Sequence, residues 1–120
     1  MLNHFKDMEK WEVPGIRVGI VCAGDEELAP FLPAIDNCKI TERAMLKFYE
    51  GEIQGIEIVA LYSGVCKVNA AIASQILIDV FGTNLIINSG TAGGMNPNLE
   101  LFDTVISTEV CYHDVAPDIL

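Results

Sequence analysis

The chain has 120 residues, of which 51% are hydrophobic and 20% are charged, a composition that fits one globular domain and excludes a disordered chain. The formal net charge is −10, and no cluster of Lys or Arg interrupts the acidic excess. The charge pattern therefore predicts that neither nucleic acid nor an anionic membrane is a partner.

The cysteines occur singly, at positions 22, 38, 66 and 111, without Cys-x-x-Cys spacing. This spacing favours reduced thiols over a disulfide framework or a metal site. The first fifteen residues contain three acids and no sustained apolar run, and no later segment approaches about 18 consecutive apolar residues. We therefore expect a soluble, cytoplasmic protein.

Residues 1–15 are predicted to be an N-terminal extension, and residues 16–120 to form part of one domain. Residues 16–23 are apolar on both faces, as in a central strand. Gly24 ends this strand, and Asp25 can cap a helix whose apolar residues recur at helical spacing as far as Ile35. Pro33 predicts that this helix is kinked or short, whereas Pro30 is accommodated if the first turn starts late.

Further along, residues 68–81 are rich in alanine and apolar nearly all round, which predicts a helix with little exposed surface. Gly82 stands where this helix should end. β-Branched or alternating residues predict four more strands, over residues 44–50, 56–63, 84–88 and 104–110. Strands that alternate with helices indicate an α/β domain with a mainly parallel sheet.

The strand at residues 84–88 ends in a loop that contains three glycines, Gly90, Gly93 and Gly94. Glycines tolerate positive φ and let a ligand approach the backbone closely. Ligands of α/β domains gather at the carboxyl ends of parallel strands, and three small-residue ends occur here, at residues 23–27, 63–65 and 89–94. None is a dinucleotide fingerprint or a P-loop, so no cofactor is expected.

Four segments in this order resemble the 5′-methylthioadenosine/S-adenosylhomocysteine nucleosidases of the purine nucleoside phosphorylase superfamily. They are Val-Gly-Ile-Val-x-Ala-x-x-Glu-Glu-Leu (18–28), Ser-Gly-Val-x-Lys-Val-Asn-Ala-Ala (63–71), Ile-Ile-Asn-Ser-Gly-Thr-Ala-Gly-Gly (86–94), and Asp103 with Tyr-His-Asp (112–114). The resemblance implies a three-layer α/β sandwich around a mainly parallel mixed sheet, of the nucleoside phosphorylase type and incomplete in this chain.

The implied activity is hydrolysis of the N-glycosidic bond of an adenine nucleoside, with Glu27 as the carboxylate that orients and deprotonates water. The position of Glu27 agrees with this role, because an acid in the first turn of a helix beyond a strand end points over the ligand crevice. Such a general base contributes roughly 10² to 10⁴ in rate. The alternative is that Glu26 and Glu27 complement a helix dipole, worth about 0.3 to 1 kcal/mol each.

By the same resemblance, Thr91, Ala92 and Gly93 line the ribose and purine, with Thr91 standing where the family has a serine. Val65 matches an apolar residue beside the sugar and its alkylthio group, with ordinary core packing as the alternative. Residues 112–114 match a segment near a subunit contact, and family members are commonly homodimers. The expected partner is a small-molecule adenine nucleoside.

Two features bear on the reaction. A phosphorolytic relative needs fixed cations for phosphate, whereas Leu28 and Asn88 occupy those neighbourhoods, so water is expected as the nucleophile. Gly24 replaces a larger apolar residue that helps to enclose the alkylthio end, which leaves the 5′ substituent open.

The chain has about half the usual length for the family, without the purine-protonating aspartate or the ribose-binding glutamate. We expect it to be part of a longer chain and inactive alone. Alternative functions are a futalosine hydrolase, a purine or uridine phosphorylase, and a nucleoside-binding module without catalysis.

Overall fold

The computed structural model describes residues 15–114, so nearly all of the predicted extension lies outside the described residues. Its centre is a five-stranded sheet in the order β2-β3-β4-β1-β5. The strands are β1 (Arg17–Cys22), β2 (Asp36–Arg43), β3 (Leu46–Ile53), β4 (Ile56–Tyr62) and β5 (Leu85–Asn88). β1 runs parallel to β4 and β5, whereas the pairs β2–β3 and β3–β4 are antiparallel. The mixed α/β sheet is therefore confirmed, with its parallel part at β4-β1-β5.

The helices are α1 (Asp25–Leu28), a short 3₁₀ turn (Leu32–Ala34) and α2 (Lys67–Asp79). α1 is a single turn, and Pro33 lies at the start of the 3₁₀ turn. Since proline cannot donate a backbone hydrogen bond in a helix interior, the predicted shortening of this helix is confirmed. α2 begins one residue earlier and ends two residues earlier than predicted, and Gly82 follows it with φ +67°.

The core consists of two apolar layers on opposite faces of the sheet. On one face, Val18, Ile20 and Ile58 pack with Leu28 of α1. On the other, strand residues that include Val59 pack with α2, whose buried residues are Ala73 and Leu77. Because strand side chains alternate between faces, β1 and β4 supply both layers. Helical segments thus cover both faces, which confirms the three-layer arrangement.

Two predictions about the strands were wrong at the first hairpin. The chain turns at Ala44 and Met45, which have φ of 49° and 63°, and β2 precedes the turn where no strand was predicted. A two-residue turn with both residues at positive φ normally carries Asn-Gly or a similar pair, so Ala-Met gave no turn signal. The next hairpin turns at Gln54 and Gly55, within the predicted connection.

The strand predicted over residues 104–110 is also wrong. Its residues pair with none of the five strands, and Ile106 and Val110 are 89% and 90% exposed. β-Propensity reflects packing against a neighbouring strand more than an intrinsic backbone preference, so an apolar β-branched run without a partner stays irregular.

The prediction that α2 has little exposed surface is wrong as well. Val68 and Ile72 are 72% and 47% exposed, and they share one face of the helix because they lie four residues apart. Within the part of the chain that the structure describes, α2 packs on the sheet through Ala73 and Leu77, and the face with Val68 and Ile72 stays open to solvent.

Candidate functional site

Three loops meet at one edge of the sheet, where the parallel strands β4, β1 and β5 end. We call them the β4 loop (residues 63–66), the β1 loop (residues 23–27) and the glycine loop (residues 89–94). The amide of Ser63 donates to the Cys22 carbonyl at 2.8 Å, and the amide of Ser89 donates to the Val21 carbonyl at 2.9 Å. These bonds hold the loops side by side, so the expected meeting of the three strand ends is confirmed.

Glu27 lies in the only turn of α1, the third residue after Gly24. Its Oε1 accepts hydrogen bonds from the amides of Ala23 and Gly24, each at 3.0 Å. These donors precede the helix, so the carboxylate satisfies backbone groups that α1 itself leaves unpaired. This half of the carboxylate performs a helix-capping role, close to the helix-dipole alternative for Glu27.

The other oxygen of Glu27 reaches across to the glycine loop. Oε2 accepts from the Thr91 amide at 2.7 Å and from the Thr91 hydroxyl at 3.1 Å, although the two residues are 64 positions apart. Helix capping does not require this contact. The carboxylate therefore joins the ends of β1 and β5, and the structure brings together two of the residues that sequence reasoning selected.

Hydrogen bonding lowers the pKa of Glu27 below its ordinary value of 4.5, chiefly through the Thr91 amide and then the Gly24 amide. Desolvation opposes this shift in the pKa and does not outweigh the donated bonds. Glu27 is consequently a carboxylate at neutral pH. Burial, with the nearby charge of Glu27, raises the pKa of the Cys22 thiol, so this thiol stays protonated and is a poor nucleophile.

Two open cavities flank the glycine loop. One, of about 500 Å³, is lined by Glu26, Glu27, Phe31 and the first part of the loop, including Thr91. The other, of about 420 Å³, is lined by Ala92, Gly93 and residues from the segment that follows. Gly90 lines both cavities. The predicted site residues of this loop are thus divided between two neighbouring spaces.

Val65 stands apart from these cavities, in the β4 loop. Its side chain is 67% exposed, so core packing does not describe it here. The side-chain amide of Asn69 donates a hydrogen bond to the backbone carbonyl of Val65 at 2.8 Å. Cys66, the next residue, has φ 78° and ψ 167°, a conformation that is nearly restricted to glycine. Sequence reasoning missed this strain, because a cysteine gives no signal of it.

Residues 112–114 lie near the start of α2, next to the β4 loop. Lys67 Nζ is 2.5 Å from both carboxylate oxygens of Asp114 and 4.8 Å from the centre of the Tyr112 ring. Lys67 is therefore engaged by an acid and an aromatic face, and this contact ties the last described residues to α2.

The glycines of the glycine loop do not have the positive φ that their type permits; positive φ occurs at Gly55, Gly64 and Gly82 instead. At Gly90 the reason for glycine is space. A Cβ built there would overlap Oε2 of Glu27 and lie 3.0 Å from its Cδ. The close approach expected from a ligand is made by a side chain of the protein.

Between residues 15 and 114, no group of three His, Cys, Asp or Glu side chains is arranged to hold a metal ion. Within the same range, none of the helices combines the length and the apolar character needed to cross a membrane.

Comparison with known proteins identifies close relatives. The chain is 46% identical over 99 residues to the 5′-methylthioadenosine/S-adenosylhomocysteine nucleosidase of Halalkalibacterium halodurans, covering 82% of this chain and 43% of the relative. The nucleosidase of Colwellia psychrerythraea is 40% identical over 100 residues, covering 83% and 41%. The chain thus spans less than half the length of these relatives.

Solved structures show the same likeness. The Colwellia psychrerythraea nucleosidase in complex with adenine has a TM-score of 0.84 at 38% identity, covering 88% of this chain and 43% of that one. The nucleosidase of S. pneumoniae with the transition-state inhibitor MT-ImmA also has a TM-score of 0.84, at 33% identity, covering 87% and 45%. Residues 17–119 match the phosphorylase superfamily as a whole. With this match spanning nearly the entire chain, the protein belongs to the phosphorylase superfamily.

Proposed function

We propose that the protein, at its natural length, hydrolyses the N-glycosidic bond of 5′-methylthioadenosine and S-adenosylhomocysteine and releases adenine. The observation that carries the proposal is the Glu27 carboxylate, bonded across the sheet edge to Thr91 of the glycine loop. Relatives named as nucleosidases for these two substrates, including one solved with adenine, support the same reaction.

In this reaction the bond between the ribose C1′ and the purine nitrogen breaks, and its electron pair leaves with the base. Water forms the new bond to C1′ and gives a proton to Glu27, while the base gains a proton from an acid that we assign to no residue of this chain. The lowered pKa of Glu27 keeps the carboxylate ready to accept that proton at neutral pH. A positioned base of this kind supplies about 10² to 10⁴ in rate.

The hydrogen bonds of Glu27 identify which contact must change for water to bind. A carboxylate has about four acceptor positions, and four protein donors bond to this one. Three of the donors are backbone amides, fixed by the loops, whereas the Thr91 hydroxyl can rotate. We infer that this hydroxyl turns from Glu27 to the substrate or the water and so frees one acceptor position.

Charge supports water as the nucleophile over phosphate. The described residues that line the Glu27 cavity include the acids Glu26 and Glu27 and no Lys or Arg. A phosphate dianion needs cationic or charge-assisted donors, and two carboxylates beside the site would repel it.

The remaining predicted contacts follow from the placement of the loops. Ala92 and Gly93 line the cavity beyond Gly90, and we assign them to the ribose and purine. Val65 is exposed at the neighbouring strand end, where it is free to contact the 5′ alkylthio group.

A second candidate substrate is futalosine. Futalosine hydrolase of Helicobacter pylori has a TM-score of 0.66 at 27% identity, covering 72% of this chain and 38% of that one. A nucleosidase of the same organism, in complex with an inhibitor, gives the same values. Both would use the same base at the β1 end and differ in the group that they accept.

We also propose a homodimer that works in the cytoplasm, in the salvage of methionine. The exposed apolar face of α2, with Val68 and Ile72, supports an assembly of this kind, because contiguous exposed apolar surface marks interaction sites.

The test is adenine release from methylthioadenosine by the protein at its natural length, in phosphate-free buffer and again with phosphate. We expect equal release in both. Release only with phosphate would replace the hydrolase by a phosphorylase. Release from futalosine alone would select the second candidate, and no release from any nucleoside that binds would indicate a binding module.

A further inference from the structure

The carboxylate of Glu27 occupies space that is open only because residue 90 has no side chain. A Cβ at Gly90 would overlap Oε2 and lie 3.0 Å and 3.3 Å from Cδ and Oε1 of Glu27. Real Cβ atoms do not overlap another atom as this one would overlap Oε2, so a larger residue would force the flexible end of Glu27, its carboxylate, to move. The three nearest atoms all belong to Glu27, so its carboxylate is the group that a Cβ would meet first.

Backbone conformation gives no reason for a glycine at this position. Gly90 does not have a positive φ, in contrast to Gly55, Gly64 and Gly82. Alanine would therefore fit the backbone of Gly90 without strain. Its main effect would come from the clash with the Glu27 carboxylate, which contributes the three nearest atoms.

Moving the carboxylate would break contacts on the neighbouring residue. Oε2 accepts from the Thr91 amide and hydroxyl, and Thr91 directly follows Gly90 in the chain. A carboxylate displaced from Gly90 loses both donors, because the amide of Thr91 is fixed by the same loop.

We propose that Gly90 is a positioning residue for Glu27: the absence of its side chain admits the carboxylate to the donors of Thr91. The kinetic consequence rests on the proposed function, in which Glu27 activates water. The geometric consequence does not, since the contact between Gly90 and Glu27 exists whatever the substrate is.

The test compares Gly90→Ala with Gly93→Ala in the protein at its natural length. Gly93 is the matched control, because a Cβ there meets nothing within 4 Å. The pKa of Glu27 is measured by carbon-13 NMR titration, with Glu27→Gln to assign the signal. We expect Gly90→Ala to raise the pKa of Glu27, because donors that favour the charged form are lost, and Gly93→Ala to leave it unchanged. An unchanged pKa in Gly90→Ala would overturn the proposal.

Kinetics give a second test. Gly90→Ala should lower kcat by about 10²-fold, the loss expected from a misplacement of about 1 Å, and should lower it no further in the Glu27→Gln background. An equal loss in both backgrounds would show that Gly90 acts independently of Glu27. The titration decides the proposal even if the protein releases no adenine, an outcome that would overturn only the proposed function.

If Gly90→Ala unfolds the protein, Gly90→Ala with Glu27→Ala separates the causes. Removing the carboxylate removes the clash, so the double variant should melt at the temperature of Glu27→Ala alone. A double variant that stays less stable would place the clash elsewhere and contradict the proposal.

Discussion

The β1 loop and the β4 loop end neighbouring parallel strands, but they differ in how they are held. The Glu27 carboxylate accepts two hydrogen bonds from amides of its own β1 loop and two from Thr91, and the latter two tie the β1 loop to the glycine loop. In the β4 loop, by contrast, Val65 is 67% exposed. The backbone of Cys66 in the same loop is strained. In the β1 loop the carboxylate is fully hydrogen-bonded, whereas in the β4 loop an apolar side chain is exposed to solvent.

We infer from this difference that the two loops have different roles, one in the chemical step and one in substrate recognition. A base must be held in one position and one ionisation state, and the donors around Glu27 do both. A side chain that recognises an apolar substituent must have apolar surface that is accessible to the ligand, and the exposed Val65 side chain has such a surface. We therefore expect substitutions in the β1 loop to affect the chemical step and substitutions in the β4 loop to affect substrate recognition.

The largest expected effect is that of Glu27→Gln. It removes the base while preserving the shape of the side chain, and it should lower kcat for adenine release by about 10² to 10⁴-fold. The matched control is Asp25→Asn, which neutralises an exposed acid in the same helical turn and should leave kcat unchanged. An equal loss in both variants would mean that the net charge of the turn matters and not the Glu27 carboxylate.

Truncation of valines should separate recognition from stability. Val65→Ala should change the free energy of unfolding by less than about 0.5 kcal/mol, because the residue is exposed, yet lower kcat/KM for methylthioadenosine about tenfold. Val59, which is fully buried in β4, is the control. Val59→Ala should cost about 2 kcal/mol of unfolding free energy and leave kcat/KM unchanged. Urea melts measure the free energy of unfolding, and steady-state kinetics measure kcat/KM. A stability loss in Val65→Ala as large as that in Val59→Ala would show that Val65 is a core residue.

Relief of backbone strain should stabilise the β4 loop. Cys66 has φ 78° and ψ 167°, a conformation that costs about 1 to 3 kcal/mol for a residue other than glycine. Cys66→Gly should therefore raise the free energy of unfolding by about 1 kcal/mol. Cys38→Gly in β2, where φ is not positive, should lower it by about 0.5 to 1 kcal/mol. A loss at both positions would contradict the strain at Cys66.

The smallest expected effect is a change in pH dependence. Because folding lowers the pKa of Glu27, its ionisation adds stability above the unfolded-state pKa, and this stability is lost as the pH falls through the folded-state pKa. Thr91→Val removes one donor to Glu27 in the free enzyme, so the pKa of Glu27 should rise and the acid limb of kcat/KM, which reports the free enzyme, should move to higher pH. Thr91→Ser keeps the hydroxyl and should leave the limb in place. If the acid limb does not move in Thr91→Val, the Thr91 hydroxyl does not lower the pKa of Glu27.

The parallel strands of the sheet could be predicted from the sequence, and the β2 edge could not. Residues 18–23 form a continuous apolar run, which is how a strand buried on both faces appears in a sequence, and β1 is buried. The apolar residues 85–87 also predicted a strand, although β5 lies at the other edge with Leu85 and Ile87 about half exposed. β2 carries exposed, mixed side chains and ends in the Ala44–Met45 turn, so neither its composition nor its turn distinguished it from a loop. The run at residues 104–110 gave the opposite error, because its composition suits a strand but no described strand pairs with it.

At the candidate site, the sequence selected Glu27 and Thr91 as residues but not the hydrogen bonds between them. Motif position selected Glu27 and Thr91, and the parallel order of β1 and β5 explains why they lie near each other. The bond between them, and the dependence of this bond on Gly90, arise from side-chain direction and free space at a contact between residues 64 positions apart. Local sequence does not encode that information.

The most direct test of Glu27 as a water-activating base is to trace the oxygen of water into the released sugar. The protein at its natural length is given methylthioadenosine in water labelled with oxygen-18 and in the presence of phosphate, and the released sugar is analysed by mass spectrometry. We expect the label at C1 of a free methylthioribose, formed far more slowly by Glu27→Gln. A sugar 1-phosphate without the label, or labelled sugar formed equally fast by Glu27→Gln, would contradict the role assigned to Glu27.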